Sequence, residues 1–326
     1  MIITKTPFRV SFAGGGTDLH SFFKEHDTHG CVVSCSIDKY IYQLMKKNFF
    51  DGSIIKYSKE ERVASSSEIK HKIIKYVFNK YDINNIEYHS IADFPSGLGL
   101  GSSSAFTVGL LRLIKEYQGL EIDNYDLAYE ASDIEINQMK EPIGMQDQFG
   151  CAIGGIKKIT FHPDNKVIVN QIELKSNQIE ILKNNLILFR VGDSRSASKI
   201  LKTQSEETKY NKDTFTNLLK MRDLAEDLSR EIKIDVDSVG HFLNINWGIK
   251  RTLTEEISTN QIDEIYETGI QNGALGGKLL GAGKGGFMLF YCEKKYQEKL
   301  RQKFYKLQSF KISIDESGAS SEDNLR

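Results

Sequence analysis

The stretch Pro95-Ser96-Gly97-Leu98-Gly99-Leu100-Gly101-Ser102-Ser103-Ser104-Ala105 places three alternating glycines before three serines, and an amphipathic helix follows at once. Glycines let backbone N–H groups approach a ligand closely, and a helix start adds unpaired N–H donors at the positive end of its dipole. We therefore interpret these glycines and serines as a phosphate-binding loop whose hydroxyls can also bind Mg²⁺. A serine-capped turn is the alternative, but it needs neither three glycines nor three hydroxyls. No Gly-Lys-Ser/Thr ends the stretch, so it is not a Walker A loop.

Two further glycine-rich segments lie elsewhere in the chain. The first, Arg9-Val-Ser-Phe-Ala-Gly14-Gly15-Gly16-Thr17-Asp18, predicts a strand, a glycine turn and a cleft shared by Arg9 and Asp18. A simple turn that caps a short helix at residues 18–24 explains this segment equally well when it is considered alone. The second, Leu279-Leu-Gly-Ala-Gly283-Lys284-Gly-Gly-Phe287, predicts a tight connection with positive φ angles, which also permits another backbone to approach closely.

Hydrophobic periodicity predicts a mixed α/β chain without internal repeats. Strands are expected at residues 3–12, 31–36, 41–48, 54–57, 86–90, 156–162, 166–171, 186–191, 287–292 and 310–314. Helices are expected at residues 68–81, 102–118, 124–139 and 293–307, and residues 196–271 are expected to be mostly helical. Residues 316–326 are polar and are expected to be partly disordered. A boundary between two domains is expected near Lys183.

The composition is that of an ordinary globular protein. The 326 residues are 40% hydrophobic and 27% charged, which is enough for two domains with their own cores. The formal net charge of −1 lacks the basic excess of a nucleic-acid-binding protein. No apolar run reaches membrane-spanning length, and the N-terminus has no signal-peptide pattern. Four scattered cysteines do not form a secreted disulfide framework, so a cytoplasmic location is expected.

One cluster has the residue types of a metal site. His26, His29, Cys31 and Cys35 lie close together in the sequence. Residues 31–35 nevertheless have the character of a buried strand, in which free cysteine behaves as a small hydrophobic residue. Strand alternation puts both cysteines on one face without bringing the histidines there. We therefore favour the buried strand over a zinc site.

Together, in this order and spacing, the three glycine-rich segments resemble the GHMP kinase superfamily, which includes galactokinase, homoserine kinase, mevalonate kinase and phosphomevalonate kinase. The resemblance covers nearly the whole chain. It implies an α/β fold of the α+β two-layer kind, with two domains and the active site between them. Residues 1–183 are expected to form an ATP-binding domain like ribosomal protein S5 domain 2. Residues 184–326 are expected to form a ferredoxin-like domain.

The resemblance also implies a substrate class. The Ala-Gly-Gly-Gly-Thr-Asp sequence ending at Asp18, the segment Glu141-Pro-Ile-Gly-Met-Gln-Asp-Gln148 and the segment Gly192-Asp-Ser-Arg195 are most similar to one kind of member. These members use ATP to phosphorylate the anomeric hydroxyl of D-glycero-D-manno-heptose 7-phosphate. Their 1,7-bisphosphate product leads to nucleotide-activated heptose for surface polysaccharide.

Three other functions stay open. They are an anomeric kinase for an unphosphorylated sugar of the fucose or galactose type, a catalytically inactive sugar sensor, and a superfamily decarboxylase. The presence of Thr17-Asp18 argues against the decarboxylase. Two residues depart from the family pattern and weigh against heptose phosphate as the substrate. Lys284 occupies a position where the third segment usually has glycine, and Met145 occupies a position where related heptose kinases often have lysine.

For catalysis, the resemblance assigns Asp147 to a position beside the acceptor hydroxyl, where it acts as a base or orients the nucleophile. Arg9 is expected to keep Asp147 ionised and to counter charge on the transferred phosphoryl group. Mg²⁺ prefers hard oxygen ligands, and Ser103 and Glu135 match the magnesium ligands of the family. Ser104 is an additional hydroxyl beside Ser103. A solvated acidic helix face is the alternative for Glu135.

The substrate contacts are also assigned from the resemblance. Asp18 is expected to bind sugar hydroxyls, next to Gly15, Gly16 and Thr17, and Gly283 and Lys284 are expected to line the same site. Arg195 lies at a predicted strand-to-helix junction and is expected to bind the distal phosphate of the sugar, unless that segment is only a helix cap. The expected ligands are therefore ATP, Mg²⁺ and a small sugar phosphate, without nucleic acid or membrane. The sequence does not predict an oligomeric state.

Overall fold

Two β-sheets form the framework of the computed structural model, which describes residues 1–192 and 197–321. Within those residues the first sheet contains β1 (Ile2–Ala13), β2 (Gly30–Lys47), β3 (Ser53–Lys56), β4 (Glu60–Val63), β5 (Ile86–Ala92), β6 (Ile156–Phe161), β7 (Val167–Gln171) and β12 (Ser320–Ser321). The second contains β8 (Leu186–Arg190), β9 (Ala274–Leu279), β10 (Phe287–Cys292) and β11 (Ser309–Lys311), in the order β11-β8-β10-β9. The strands pair antiparallel, apart from the parallel pair β3–β5.

Helices pack on both sheets. In the described part of the chain they are α1 (His20–Phe23), α2 (Lys72–Lys80), α3 (Ser102–Gln118), α4 (Asn124–Ser132), α5 (Gln146–Ala152), α6 (Ser176–Asn185), α7 (Ala197–Tyr210), α8 (Lys212–Glu231), α9 (Ser238–Lys250), α10 (Asn260–Gln271) and α11 (Lys294–Lys303). Helices α3 and α5 pack on β1 and β2 of the first sheet. Helix α9 contacts β9 and β10 of the second sheet and also β1 of the first. The two sheets therefore meet where β1, α9 and β9 come together.

Strand β2 is the longest element of the first sheet. Two strands were expected, at residues 31–36 and 41–48, and this prediction is wrong because β2 runs without interruption over Gly30–Lys47. It pairs with β1 along its length, and a register irregularity between Pro7 and Phe8 absorbs the extra residues of β2. Its other edge pairs with β6 in its first part and with β5 in its second part. A β-bulge of this kind lets a long strand bend without ending it.

The prediction of a helix directly after the glycine–serine stretch is confirmed. Helix α3 spans Ser102–Gln118, and both flanking glycines are left-handed, with φ of 74° at Gly101 and 68° at Gly119. The helix predicted at residues 68–81 begins later than expected. A 3₁₀ turn over Ser66–Glu68 precedes it, and α2 starts only after His71, whose ring accepts the N–H of Ile74.

The helix predicted at residues 124–139 changes type part-way along. Helix α4 covers Asn124–Ser132, and a π-helix continues over Asp133–Gln138. π-Helical turns are rare and occur often at functional sites. This turn carries Glu135, a predicted magnesium ligand, and buries its side chain.

Hydrophobic periodicity did not indicate helix α6 or strand β9. Helix α6 spans Ser176–Asn185, so the expected domain boundary at residue 183 falls within it, and the second sheet begins directly afterwards with β8. Strand β9 was also missed, because its Gly276–Gly277 pair interrupts the apolar pattern.

The C-terminal segment returns to the first sheet. Strand β12 pairs with β1, and the N–H groups of Ser317 and Gly318 both bond to the carboxylate of Asp315. The expectation of disorder is therefore wrong for residues 316–321, because backbone pairing and the Asp315 turn satisfy this polar segment. Residues 322–326 lie outside the described residues.

The cysteines and histidines do not assemble into a metal centre in the described ranges, where no group of three or more metal-ligating side chains occurs. All four cysteines are free and buried. Burial raises the pKa of Cys31 to about 12, so its thiol stays neutral. Across residues 1–192 and 197–321 the structure also has no helix of the length and apolarity that crossing a membrane requires.

Candidate active site

A cleft with a cavity volume of about 370 Å³ lies where the two sheets meet. All three glycine-rich segments line it, together with the start of α5 and parts of α7, α9 and β9. The segments are far apart in sequence, so the fold brings them together. They share one cleft, and the division of the chain into two domains on either side of it stays a prediction.

The phosphate-binding loop at residues 95–105 and the glycine-rich segment at residues 279–287 contact each other through their backbones. A Cβ atom added to Gly281 would lie 2.5 Å from the Cα of Gly99, and one added to Gly99 would lie 2.5 Å from the carbonyl oxygen of Leu280. No side chain fits in this contact. The predicted close approach of another backbone to the third segment is thus confirmed, and it holds the phosphate-binding loop against the second sheet.

The predicted phosphate-binding loop faces the cleft. Its three glycines, Gly97, Gly99 and Gly101, all have positive φ angles and line the cavity. The hydroxyls of the following serines lie in the first turn of the 17-residue helix α3, and Ser102 accepts the N–H of Gly97 at 3.2 Å. Backbone N–H groups and the helix dipole here favour an anion. The geometry of the loop is therefore compatible with the predicted phosphate binding.

Arg9 and Asp147 form an ion pair at the floor of the cleft. Arg9 Nε and Nη2 donate to Asp147 Oδ1 at 2.9 and 2.6 Å, and Nη1 donates to the carbonyl of Gly99 at 2.7 Å. Arg9 lies on β1 and is 4% exposed, whereas the Asp147 side chain on α5 keeps 29% of its surface open. The guanidinium thus links the carboxylate to the phosphate-binding loop, and no hydrogen bond from residues 1–192 or 197–321 engages Asp147 Oδ2. The carboxylate can accept a hydrogen bond from a hydroxyl in the cleft.

Asp18 lies in the same cleft at the end of the first glycine turn. Its carboxylate accepts the N–H of Gly16 at 3.0 Å and the side-chain amide of Gln146 at 2.7 Å, and it is 2% exposed. Burial, followed by the charge of Asp147, raises the pKa of Asp18 to about 6. Gly144 makes room for it, because a Cβ there would lie 1.9 Å from Asp18 Oδ2. Neither Gly144 nor Gln146 was predicted as a site residue.

Glu135 lies behind the phosphate-binding loop. It accepts the hydroxyls of Ser103 and Ser104 at 2.5 and 2.7 Å and the side-chain amide of Gln148 at 2.7 Å. Only 1% of Glu135 is exposed, and burial raises its pKa. A buried carboxylate with two hydroxyls beside it is a set of hard oxygen donors that suits Mg²⁺ bound partly by phosphate and water. The donor set therefore fits the predicted metal.

The remaining predicted substrate residues lie in different places. Gly15, Gly16 and Gly283 line the cleft. Thr17 does not, because its hydroxyl donates to Gly14 at 2.8 Å and accepts the N–H of Cys31 at 3.0 Å, which holds the turn to β2. Lys284 does not line the cleft either; it has φ of 59°, and its Nζ lies 3.1 Å from Glu256 Oε1, so its charge is paired. Arg195 lies outside the described residues.

Two lysines that sequence reasoning missed also line the cleft. Lys250 ends α9 and is 6% exposed, and Lys278 lies on β9 and is 1% exposed. Their neighbours in the sequence form no recognisable motif. The one available signal was a lysine inside an otherwise apolar and glycine-rich strand, directly before the third glycine-rich segment.

Sequence comparison identifies the family. Residues 68–155 match the family described as GHMP kinases N terminal domain, and residues 222–308 match GHMP kinases C terminal. A Campylobacter jejuni protein named D-glycero-alpha-D-manno-heptose 7-phosphate kinase is 30% identical over 318 residues, which cover 90% of this chain and 91% of that protein. The chain belongs to the GHMP kinase family. The predicted membership is confirmed, and the chain is a sugar kinase that uses ATP.

Other relatives agree with this result. A galactokinase from Pyrococcus furiosus is 24% identical over 331 residues, covering 90% of this GHMP kinase and 89% of that protein. A crystal structure of a D-glycero-D-manno-heptose 1-phosphate kinase from Bacteroides thetaiotaomicron superposes with a TM-score of 0.80 at 21% identity and covers 100% of both chains. Lactococcus lactis galactokinase bound to galactose superposes with a TM-score of 0.73 at 14% identity, covering 98% and 94% of the two chains. The predicted α/β fold is confirmed.

Proposed function

We propose that this GHMP kinase transfers the γ-phosphoryl group of ATP to the anomeric hydroxyl of D-glycero-D-manno-heptose 7-phosphate and forms the 1,7-bisphosphate. The main support for this choice of substrate is the similarity to the Campylobacter jejuni heptose 7-phosphate kinase along nearly the full length of both chains. The cleft supports the proposal, because the glycine–serine loop and the carboxylates of Asp18 and Asp147 line one cavity. The product is of the kind that leads to nucleotide-activated heptose for surface polysaccharide.

In the proposed reaction Asp147 receives the hydrogen bond of the acceptor hydroxyl. The Arg9 guanidinium holds Asp147 Oδ1, so Asp147 Oδ2 would accept the hydrogen bond of the sugar hydroxyl. In a loose transition state the hydroxyl proton leaves late, and Asp147 mainly orients the nucleophile before it accepts that proton. Arg9 also bonds to the backbone of the phosphate-binding loop at Gly99, where positive charge can stabilise the transferred phosphoryl group.

Mg²⁺ would be held by Ser103 and Glu135, with Ser104 beside them. When bound, it supplies charge neutralisation to the phosphates of ATP. Both serine hydroxyls already contact Glu135 in the structure, so little rearrangement is needed to direct the three side chains to a cation. Gln148 holds the second oxygen of Glu135 and orients the carboxylate.

Asp18 would bind the hydroxyls of the sugar, with Gly15 and Gly16 forming the adjacent wall. Its carboxylate is held by Gly16 and Gln146, so it is oriented before the sugar arrives. A site built to accept hydroxyl hydrogens rejects sugars that lack them, because the buried carboxylate would then lose its partner. Gly283 would line the opposite wall, and Arg195 stays our proposed ligand for the distal phosphate. We also retain the division into domains at residues 1–183 and 184–326 as a proposal.

A second candidate is an anomeric kinase for an unphosphorylated sugar. The galactokinase from Pyrococcus furiosus, which matches 90% of this chain, favours it. The two candidates use the same reaction and the same catalytic pair. They differ in whether the enzyme requires a phosphate at the far end of the sugar.

An ATP-coupled kinetic assay separates the candidates. The panel contains D-glycero-D-manno-heptose 7-phosphate, the free heptose, mannose, fucose, galactose and the phosphates of these sugars. We expect kcat/KM for heptose 7-phosphate to exceed that for every free sugar. A higher kcat/KM for a free sugar would reject the heptose phosphate and keep the kinase, whereas ATP consumption that no sugar stimulates would support the inactive sensor.

A further inference from the structure

Two buried lysines face the cleft without carboxylate partners. Lys250 and Lys278 both line the cavity, and both are more than nine-tenths buried. In residues 1–192 and 197–321 no aspartate or glutamate lies within ion-pair distance of either amine. The proposed reaction assigns neither lysine a role.

The contacts of the two amines are few and neutral. Lys250 Nζ donates to the carbonyls of Leu279 at 3.2 Å and Gly281 at 2.5 Å. Within the part of the chain that the structure describes, Lys278 Nζ donates only to the hydroxyl of Ser11, at 3.1 Å. An ammonium has three donors, and leaving them unpaired in a buried place is costly. Lys278 therefore has the larger unused capacity for hydrogen bonds.

A third buried lysine shows what a purely structural role looks like in this fold. Lys157 Nζ donates to the hydroxyl of Ser36 and is surrounded by backbone carbonyls from four residues, Gly150, Ile153, Gly154 and Gly155. That amine does not line the cleft. The two cleft lysines lack such a shell of acceptors, so burial and local bracing do not account for Lys278.

The charges around the two lysines favour an anionic ligand. Burial, followed by the charge of Arg9, lowers the pKa of Lys250 to about 8, although the charges of Asp147 and Asp18 act in the opposite direction. Burial, followed by the charges of Lys250 and Arg9, lowers the pKa of Lys278 well below its usual value. Arg9, Lys250 and Lys278 thus line one cleft, and among the described residues Arg9 alone of the three is ion-paired there, with Asp147. A ligand that brings negative oxygens to this wall would favour protonation of both amines and bind to them.

We propose that Lys250 and Lys278, with the hydroxyl of Ser11, form a second phosphate-binding subsite in the cleft. Two phosphates reach this cleft in the proposed function, on which the inference partly rests: the phosphate carried by the sugar and the γ-phosphate of ATP. Both offer the same chemistry, negative oxygens that accept charge-assisted hydrogen bonds. The subsite determines affinity for phosphorylated ligands and does not contact a neutral sugar.

Isothermal titration calorimetry tests the subsite without turnover. Three ligands are titrated: heptose 7-phosphate, the free heptose, and the ATP analogue AMP-PNP with Mg²⁺. The variants are Lys278→Met and Lys250→Met, and Lys220→Met on the exposed face of α8 is the control with the same charge change. Charge-assisted hydrogen bonds predict a loss of at least about tenfold in affinity for a phosphorylated ligand in each cleft variant. The free heptose and the control should keep the wild-type Kd.

Each outcome decides the proposal. A loss confined to heptose 7-phosphate supports it with the sugar phosphate as the ligand, and a loss for AMP-PNP supports it with the γ-phosphate. Wild-type protein that does not bind heptose 7-phosphate contradicts the proposed substrate, and AMP-PNP alone then decides the subsite. Unchanged affinity for both phosphorylated ligands, or an equal loss for free heptose, overturns it. Lys278→Met should also keep or raise the Tm, because it removes a buried amine without an ionic partner, whereas a bracing role predicts a lower Tm.

Discussion

Replacing Asp18 with asparagine should change the stability of the protein more favourably at neutral pH than in acid, compared with the wild type at the same pH. The structure buries this carboxylate and raises its pKa from 3.8 to about 6. That rise corresponds to about 3 kcal/mol of unfavourable free energy for the ionised form. Because folded Asp18 binds its proton more tightly than the unfolded chain does, stability falls as the pH rises through the window from 3.8 to about 6. The Asp18→Asn variant lacks this contribution.

The assay is urea unfolding of both proteins at several pH values between 4 and 7.5. We expect the free energy of unfolding of Asp18→Asn, minus that of the wild type, to increase by about 2.4 kcal/mol from pH 4 to pH 7.5, because a small part of the effect is already present at pH 4. Any constant effect of the altered hydrogen bonds cancels in this comparison. Asp82→Asn, on an exposed turn, is the matched control. A difference that does not vary with pH would refute the reasoning. The same variant should raise KM for the sugar by roughly tenfold, because a charge-assisted hydrogen bond is lost.

Three further predictions concern the catalytic pair, the metal and the contact between the glycine segments. Asp147→Asn should lower kcat by roughly 10²-fold or more in the coupled assay, since it removes the positioned acceptor of the hydroxyl proton, and near-normal kcat would remove the assignment. Glu135→Gln should raise the Mg²⁺ concentration needed for half-maximal rate, and an unchanged requirement would count against Glu135 as a ligand. Gly281→Ala should lower the Tm and weaken AMP-PNP binding in calorimetry, because its Cβ would lie 2.5 Å from the Gly99 Cα. Gly248→Ala on α9 meets no atom within 4 Å and should leave the Tm unchanged or raise it, and a loss of Tm equal to that of Gly281→Ala would contradict the steric argument.

The parts of the fold that follow local rules were predicted from the sequence. Helix α3 begins after Gly101 and ends at Gly119, because both glycines adopt the left-handed conformation that other residues rarely take. The alternation in residues 3–12 likewise predicted β1 almost to its ends. These signals depend on neighbouring residues, so they are visible in one sequence.

The parts that depend on distant contacts could not be predicted in this way. The uninterrupted β2 depends on pairing with β1 across a bulge. Lys278 becomes a cleft residue only because β9 packs on α9, which also contacts β1. The need for glycine at position 144 could not be predicted for the same reason, because the carboxylate that occupies the space beside it belongs to Asp18, which is far away in sequence. The family resemblance supplied Arg9, Asp147 and Glu135 as site residues, whereas Lys250, Lys278 and Gln146 emerged from the structure.

The identity of the product tests the central proposal most directly. Purified protein is incubated with ATP, Mg²⁺ and D-glycero-D-manno-heptose 7-phosphate, and the mixture is followed by ³¹P NMR. We predict a new sugar phosphate resonance that is coupled to the anomeric proton, growing in step with ADP while the original phosphate ester resonance persists. Consumption of ATP without that resonance, or a phosphate that appears at another carbon, would contradict the account.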